Sequence, residues 1–67
     1  MIRCHLARLM ADEKLRIADV ARDTGLHRNT VTLLYKETAQ QIDLDTIDTL
    51  CHYFECEVGD LLEKVDD

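Results

Sequence analysis

Ile17-Ala-Asp-Val-Ala-Arg-Asp-Thr-Gly-Leu-His-Arg-Asn-Thr-Val-Thr-Leu-Leu-Tyr-Lys36 is the stretch that decides the fold of this chain. Ala21 and Gly25 lie four apart, and Val20, Leu26, Val31 and Leu34 are the large apolar positions around them. That spacing predicts two short helices, 17–24 and 28–36, packed across a tight turn. A small side chain at Ala21 lets the second helix approach the first closely. Gly25 fits the turn because a left-handed backbone carries no steric penalty only for glycine.

At 100° per residue, Arg28, Asn29, Thr32, Leu33 and Lys36 fall within one arc of ~140° on the second helix, while Val31 and Leu34 face the core. The exposed arc carries the chemistry of base reading. An arginine donates two hydrogen bonds to guanine O6 and N7, an asparagine pairs in two places with adenine N6 and N7, and Thr32 and Leu33 suit a thymine methyl. Lys36, at the far end of the helix, is better placed for a phosphate.

Residues 17–36 resemble the helix-turn-helix of Cro/CI-type repressors, the XRE family, and the resemblance extends along the chain to Phe54-Glu-Cys-Glu-Val-Gly-Asp-Leu-Leu62. It implies an all-α, five-helix, lambda-repressor-like domain spanning residues 1–67, whose second motif helix enters the DNA major groove. It further implies a sequence-specific transcriptional regulator, most simply a repressor, with Arg28, Asn29, Thr32 and Leu33 against the bases. The chain departs from the family pattern in places. Arg16 and Ile17 stand where a small hydroxyl residue and a glutamine are usual, so Arg16 is expected to supply the phosphate contact. His27 stands where serine is common, and either caps the helix or touches a phosphate. Tyr35 replaces a frequent acidic residue.

Family members commonly bind as dimers on two half-sites about one helical turn apart, which implies a homodimer here. Leu61, Leu62 and Val65 form an apolar C-terminal strip suited to that two-fold contact. The competing reading is that Leu61 and Leu62 close the monomer's own core.

The charge of the whole chain, −6, should repel a polyanion, but it is unevenly distributed. Residues 1–36 hold seven basic and four acidic side chains, a net of +3, whereas residues 37–67 hold one basic and ten acidic, a net of −9. The helix-turn-helix lies in the positive half. The acidic half is expected to face away from the duplex and to limit non-specific binding.

Outside the motif, helical spacing of Ile2, Leu6, Leu9 and Met10 predicts a first helix over 2–12. Residues 37–43 read as a polar loop. A fourth helix, capped by Asp43, runs to Phe54 and should bury Leu44, Ile47, Leu50, Cys51 and Phe54. A short fifth helix covers 58–64, with Glu57 at its N-cap and Asp60 three residues on. The expected core is Leu6, Leu9, Val20, Ala21, Leu26, Val31, Leu34, Ile47, Leu50 and Phe54.

The 67 residues are expected to form one domain. Such a chain buries only ~60% of its unfolded surface, so its stability should be a few kcal/mol. Cys4, Cys51 and Cys56 include no C-x-x-C pair, and Cys51 falls on an apolar helix face, so no metal site is expected; a reducing cytoplasm argues against a disulfide. The carboxylates are dispersed and the histidines lack a nucleophile at useful spacing, so an enzyme is not expected. No cofactor is expected either. No apolar run is long enough to span a membrane, and the first residues lack the apolar stretch of a signal peptide, which predicts a cytoplasmic protein. The alternative to a DNA-binding regulator is an antitoxin-like interaction module whose partner is a toxin.

Overall fold

In a computed structural model of the chain, which describes residues 1–66, the elements run β1 (Ile2–Cys4), α1 (Leu6–Asp12), α2 (Ile17–Thr24), α3 (Arg28–Tyr35), α4 (Leu44–Phe54), α5 (Val58–Leu61) and β2 (Leu62–Lys64). Asp67, the last residue of the expected domain, lies outside the described residues. Five helices appear as the sequence predicts, but the fold is not strictly all-α. The chain ends pair as a two-stranded antiparallel sheet, with Ile2 opposite Lys64, Arg3 opposite Glu63 and Cys4 opposite Leu62.

The sheet corrects both outer helix boundaries. Ile2 is not the first core residue of α1 but a strand residue with 62% of its surface exposed. Helix α1 starts after His5, whose backbone N–H donates to Leu61 O at 2.7 Å. At the other end, Leu62 adopts φ −123° and ψ 139°, so α5 stops at Leu61. Backbone groups of one terminus are satisfied by the other, an option invisible to local periodicity.

Each helix of the motif has local causes for its ends. The Arg16 backbone N–H donates to Asp19 Oδ2 at 2.9 Å, which satisfies one orphan donor at the start of α2. Gly25 ends α2 at φ 76°, and its N–H donates to Ala21 O at 3.0 Å. Thr24 Oγ1 donates to Val20 O and accepts from the Leu26 N–H, stitching the turn. A Cβ built on Gly25 meets nothing within 4 Å, so the glycine is required by its backbone angle and not by crowding. Gly25→Val should therefore cost about 1–2 kcal/mol, with the β-branched side chain resisting positive φ. Thermal melting checks this, and a variant melting within a degree of the parent would refute the turn's dependence on glycine.

Leu6, Met10, Val20, Val31, Leu34, Leu50 and Leu61 form the buried core. Leu9, Ala21, Leu26, Ile47 and Phe54 pack around it, partly exposed. Burying each large aliphatic side chain contributes roughly 1.5–3 kcal/mol. Leu44 departs from expectation, being 82% exposed, while Thr46 is buried. On α4 the buried residues are Thr46 and Leu50, and Leu44 lies about 120° round the helix from Leu50. Asp43 stands at the N-cap of α4 in extended conformation, but its side chain makes no capping bond. Glu57 stands at the N-cap of α5, and its N–H donates to Asp60 Oδ2 at 3.0 Å.

Glu37, at φ 59° just past α3, ties the expected loop to the sheet. Its carboxylate accepts Arg3 Nε at 2.7 Å and Nη2 at 3.0 Å, and the Cys4 backbone N–H at 3.0 Å. These donors, the Arg3 guanidinium first, hold the Glu37 carboxyl at about 2 against an ordinary 4.5. Its folded value lies below its unfolded value. Its contribution to stability is therefore complete above about pH 4.5 and is lost as pH falls toward about 2. Glu37→Gln should melt below the parent at neutral pH, with the difference closing across that acid window. Melting curves at a series of pH values check this, and a constant difference would refute it.

Candidate nucleic-acid interface

The surface predicted to read DNA is built on α2 and α3, which pack against each other across the Gly25 turn. Val31 and Leu34 are buried, which fixes the rotation of α3 about its axis. With that face turned inward, Arg28, Asn29 and Lys36 are exposed, as is Leu33 at 37%. Thr32 is half-buried, and its Oγ1 donates to Arg28 O at 2.9 Å. Its hydroxyl is thus engaged within the helix, and its methyl is the group left to meet a partner.

His27 resolves as a cap. It stands at the N-cap of α3 at φ −63° and ψ 136°, and Nδ1 accepts the Asn29 backbone N–H at 3.0 Å. Accepting through Nδ1 requires the neutral ring with its proton on Nε2, the nitrogen left to donate outward. Capping and phosphate contact, alternatives in sequence, are compatible in structure.

The cations divide into two sets. Arg3 is spent on Glu37, and Arg22 lies 3.4 Å from Asp19 Oδ1 and 3.1 Å from Asp23 Oδ1. Among the described residues Arg16, Arg28 and Lys36 take part in no ion pair, so their charges remain available to an anionic ligand. Arg16 at the start of α2 and Arg28 at the start of α3 border the same shallow concavity of about 420 Å³, together with Ile17, Ala18 and Tyr35. The sequence did not single out Tyr35 as a neighbour of both arginines. Its place about 20° from Arg28 and about 60° from Thr32 on the helical wheel was the available signal.

A second feature lay beyond sequence reading. Tyr53 on α4 donates its O–H to Asp23 Oδ2 on α2 at 2.6 Å. The Tyr53 hydrogen bond, and after it that from Arg22, holds the Asp23 carboxyl below its usual range, while Asp23 pushes the phenol up to about 12. This bond holds α2 against the scaffold behind the interface. Of the expected dimer strip, Leu61 is fully buried in the monomer's own core and cannot meet a second copy, while Leu62 and Val65 are half-buried. Among the described residues no three His, Cys, Asp or Glu side chains gather to hold a metal ion, and no helix is long and apolar enough to cross a membrane.

The family described as the Cro/C1-type HTH DNA-binding domain matches residues 5–67. The chain is also similar to the uncharacterized HTH-type transcriptional regulator YozG of Bacillus subtilis (strain 168), at 27% identity over 55 residues. That match covers 82% of this chain and 66% of the relative, just under two thirds of its length. The family match spans α1 through β2 and includes the whole two-helix unit with its exposed cations. This chain belongs to the Cro/C1-type helix-turn-helix DNA-binding domain family.

Proposed function

We propose that the protein is a sequence-specific transcriptional regulator acting in the cytoplasm, a repressor that blocks a promoter by laying α3 in the major groove. The observation that carries this reading is the pair Arg28 and Asn29, adjacent and exposed on the first turn of a helix whose opposite face is locked in the core. In this reading Arg28 takes a guanine, Asn29 an adenine, and the methyl groups of Thr32 and Leu33 a thymine. Arg16, His27 and Lys36 grip phosphates and set the register. The family's name and the relative's description as a regulator support DNA as the partner.

One helix reads too few base pairs for useful specificity, so the working form is a homodimer on two half-sites. Leu62 and Val65 are the residues of the C-terminal strip left to make the two-fold contact. Selection from a random duplex pool tests the whole reading. The expected product is an enriched, two-fold symmetric motif with half-site centres about one helical turn apart. Recovery of no enriched sequence at low salt would transfer the assignment to an interaction module such as an antitoxin, whose partner is a toxin protein. Sedimentation of the protein with its selected duplex tests the assembly, and one protomer per site would contradict the dimer.

A further inference from the structure

Helix α4 ends in a hydrogen-bonding pattern that places two thiols together. Glu55 takes the left-handed conformation at φ 52°, its N–H donates to His52 O at 3.2 Å, and the Cys56 N–H donates to Cys51 O at 2.9 Å. This paired arrangement is the Schellman motif, in which the side chain three positions inside the helix end meets the one just beyond it. An apolar contact usually occupies those two positions. Here both are cysteines, Cys51 and Cys56.

The two thiols are half-buried and share the lining of one open cavity with Tyr53 and the carboxylates of Asp48, Glu57 and Asp60. Burial and then the nearness of Cys51 push the Cys56 thiol up, as expected for two thiols facing each other in a partly apolar setting. Cys4 is elsewhere, on β1, and lines a different cavity with Ala39 and Ile42. No residue of α3 lines that cavity.

We propose that Cys51 and Cys56 form an oxidisable dithiol that closes to an intramolecular disulfide on reaction with a small-molecule disulfide. One of the pair, as thiolate, attacks a sulfur of the small disulfide and expels one small thiolate. The second protein thiol loses its proton and attacks the resulting mixed disulfide, forming the Cys51–Cys56 bond and expelling the second small thiolate. Two electrons pass to the small disulfide, and the two protons released by the protein thiols protonate the departing thiolates. The bond staples the end of α4, the helix whose Tyr53 holds α2, and leaves the surface of α3 untouched.

Incubation of the folded protein with oxidised glutathione tests this directly. Trypsin cuts after Arg3, Arg8, Lys36 and Lys64, so Cys51 and Cys56 fall on one peptide, 37–64, and Cys4 on another, 4–8. The expected result is a 37–64 peptide lighter by two hydrogens, with Cys4 still reactive to iodoacetamide. The oxidised protein should melt higher by about 5–10 °C, a gain reversed by dithiothreitol. Neither Cys51→Ser nor Cys56→Ser should show that gain, whereas Cys4→Ser should keep it. A 37–64 peptide that retains both thiols, stops at a glutathione adduct, or cross-links to 4–8 would overturn the proposal. Because these readouts need no DNA, they stand or fall independently of the regulator assignment.

Discussion

Leu50→Ala is expected to leave the domain largely unfolded near physiological temperature. Leu50 is completely buried on α4, amid the core formed with Leu6, Val20, Val31 and Leu61. Truncating such a leucine removes its transfer free energy and leaves a cavity, at a cost of about 2–5 kcal/mol. A domain of this size has only about 3–10 kcal/mol in total, so the loss consumes a large share of it. Each kcal/mol moves the midpoint of a domain this small by about 4–8 °C, and circular dichroism melting should show a drop well above 10 °C. Leu44→Ala, on the same helix but 82% exposed, should stay within about 0.5 kcal/mol of the parent. Equal losses at the two positions would contradict the burial pattern of α4.

Arg28→Ala should weaken binding to a selected duplex by about 1–3 kcal/mol, roughly five- to 150-fold, by removing a bidentate base contact. Lys36→Ala should weaken all duplexes alike and lower the slope of log affinity against log salt by about one unit. The two variants thus separate by which sequences they affect and by their response to salt. Neither side chain is buried or engaged in an ion pair among the described residues, so both variants should melt close to the parent. Fluorescence anisotropy titrations at several salt concentrations check the pair. If Arg28→Ala weakened matched and scrambled duplexes equally, Arg28 would be a phosphate contact and not a reader.

The parts of this fold that sequence could reveal are those whose causes are local. Gly25, the Arg16–Asp19 start of α2 and the inward pair Val31 and Leu34 all act within a turn or two of the chain, and the unit from Ile17 to Tyr35 follows from them. The sheet escaped because Ile2 and Lys64 are brought together by the fold while each separately satisfies helical spacing. Leu44 escaped for a related reason. Periodicity gives a face but not its centre, and Thr46, one turn before Leu50 on the same face, is buried while Leu44 is exposed. Leu61 is open in sequence between a dimer contact and the monomer core, and the fold settles it for the core, where the His5 N–H bonds its carbonyl.

The interface divides along the same line. Exposure of Arg28, Asn29 and Lys36 followed from the helical wheel, because one buried face implies the other. The freedom of Arg16 and Arg28 from ion pairs, set against the commitment of Arg3 and Arg22, depended on where Glu37 and Asp23 come to lie. Glu37 reaches Arg3 across 34 positions of sequence, and Tyr53 reaches Asp23 across 30. No pattern in the chain encodes such pairs, although they decide which cations remain to meet a phosphate backbone.

In the proposed reading the first turn of α3 specifies sequence. The most direct measurement is duplex-pool selection performed side by side with the parent protein, Arg28→Ala, Asn29→Ala and Lys36→Ala, with helix content verified for each. Arg28→Ala and Asn29→Ala should each lose discrimination at a single, different base pair of every half-site, while Lys36→Ala should return the parental motif from a weaker complex. Recovery of the unchanged parental motif by both Arg28→Ala and Asn29→Ala would contradict that reading.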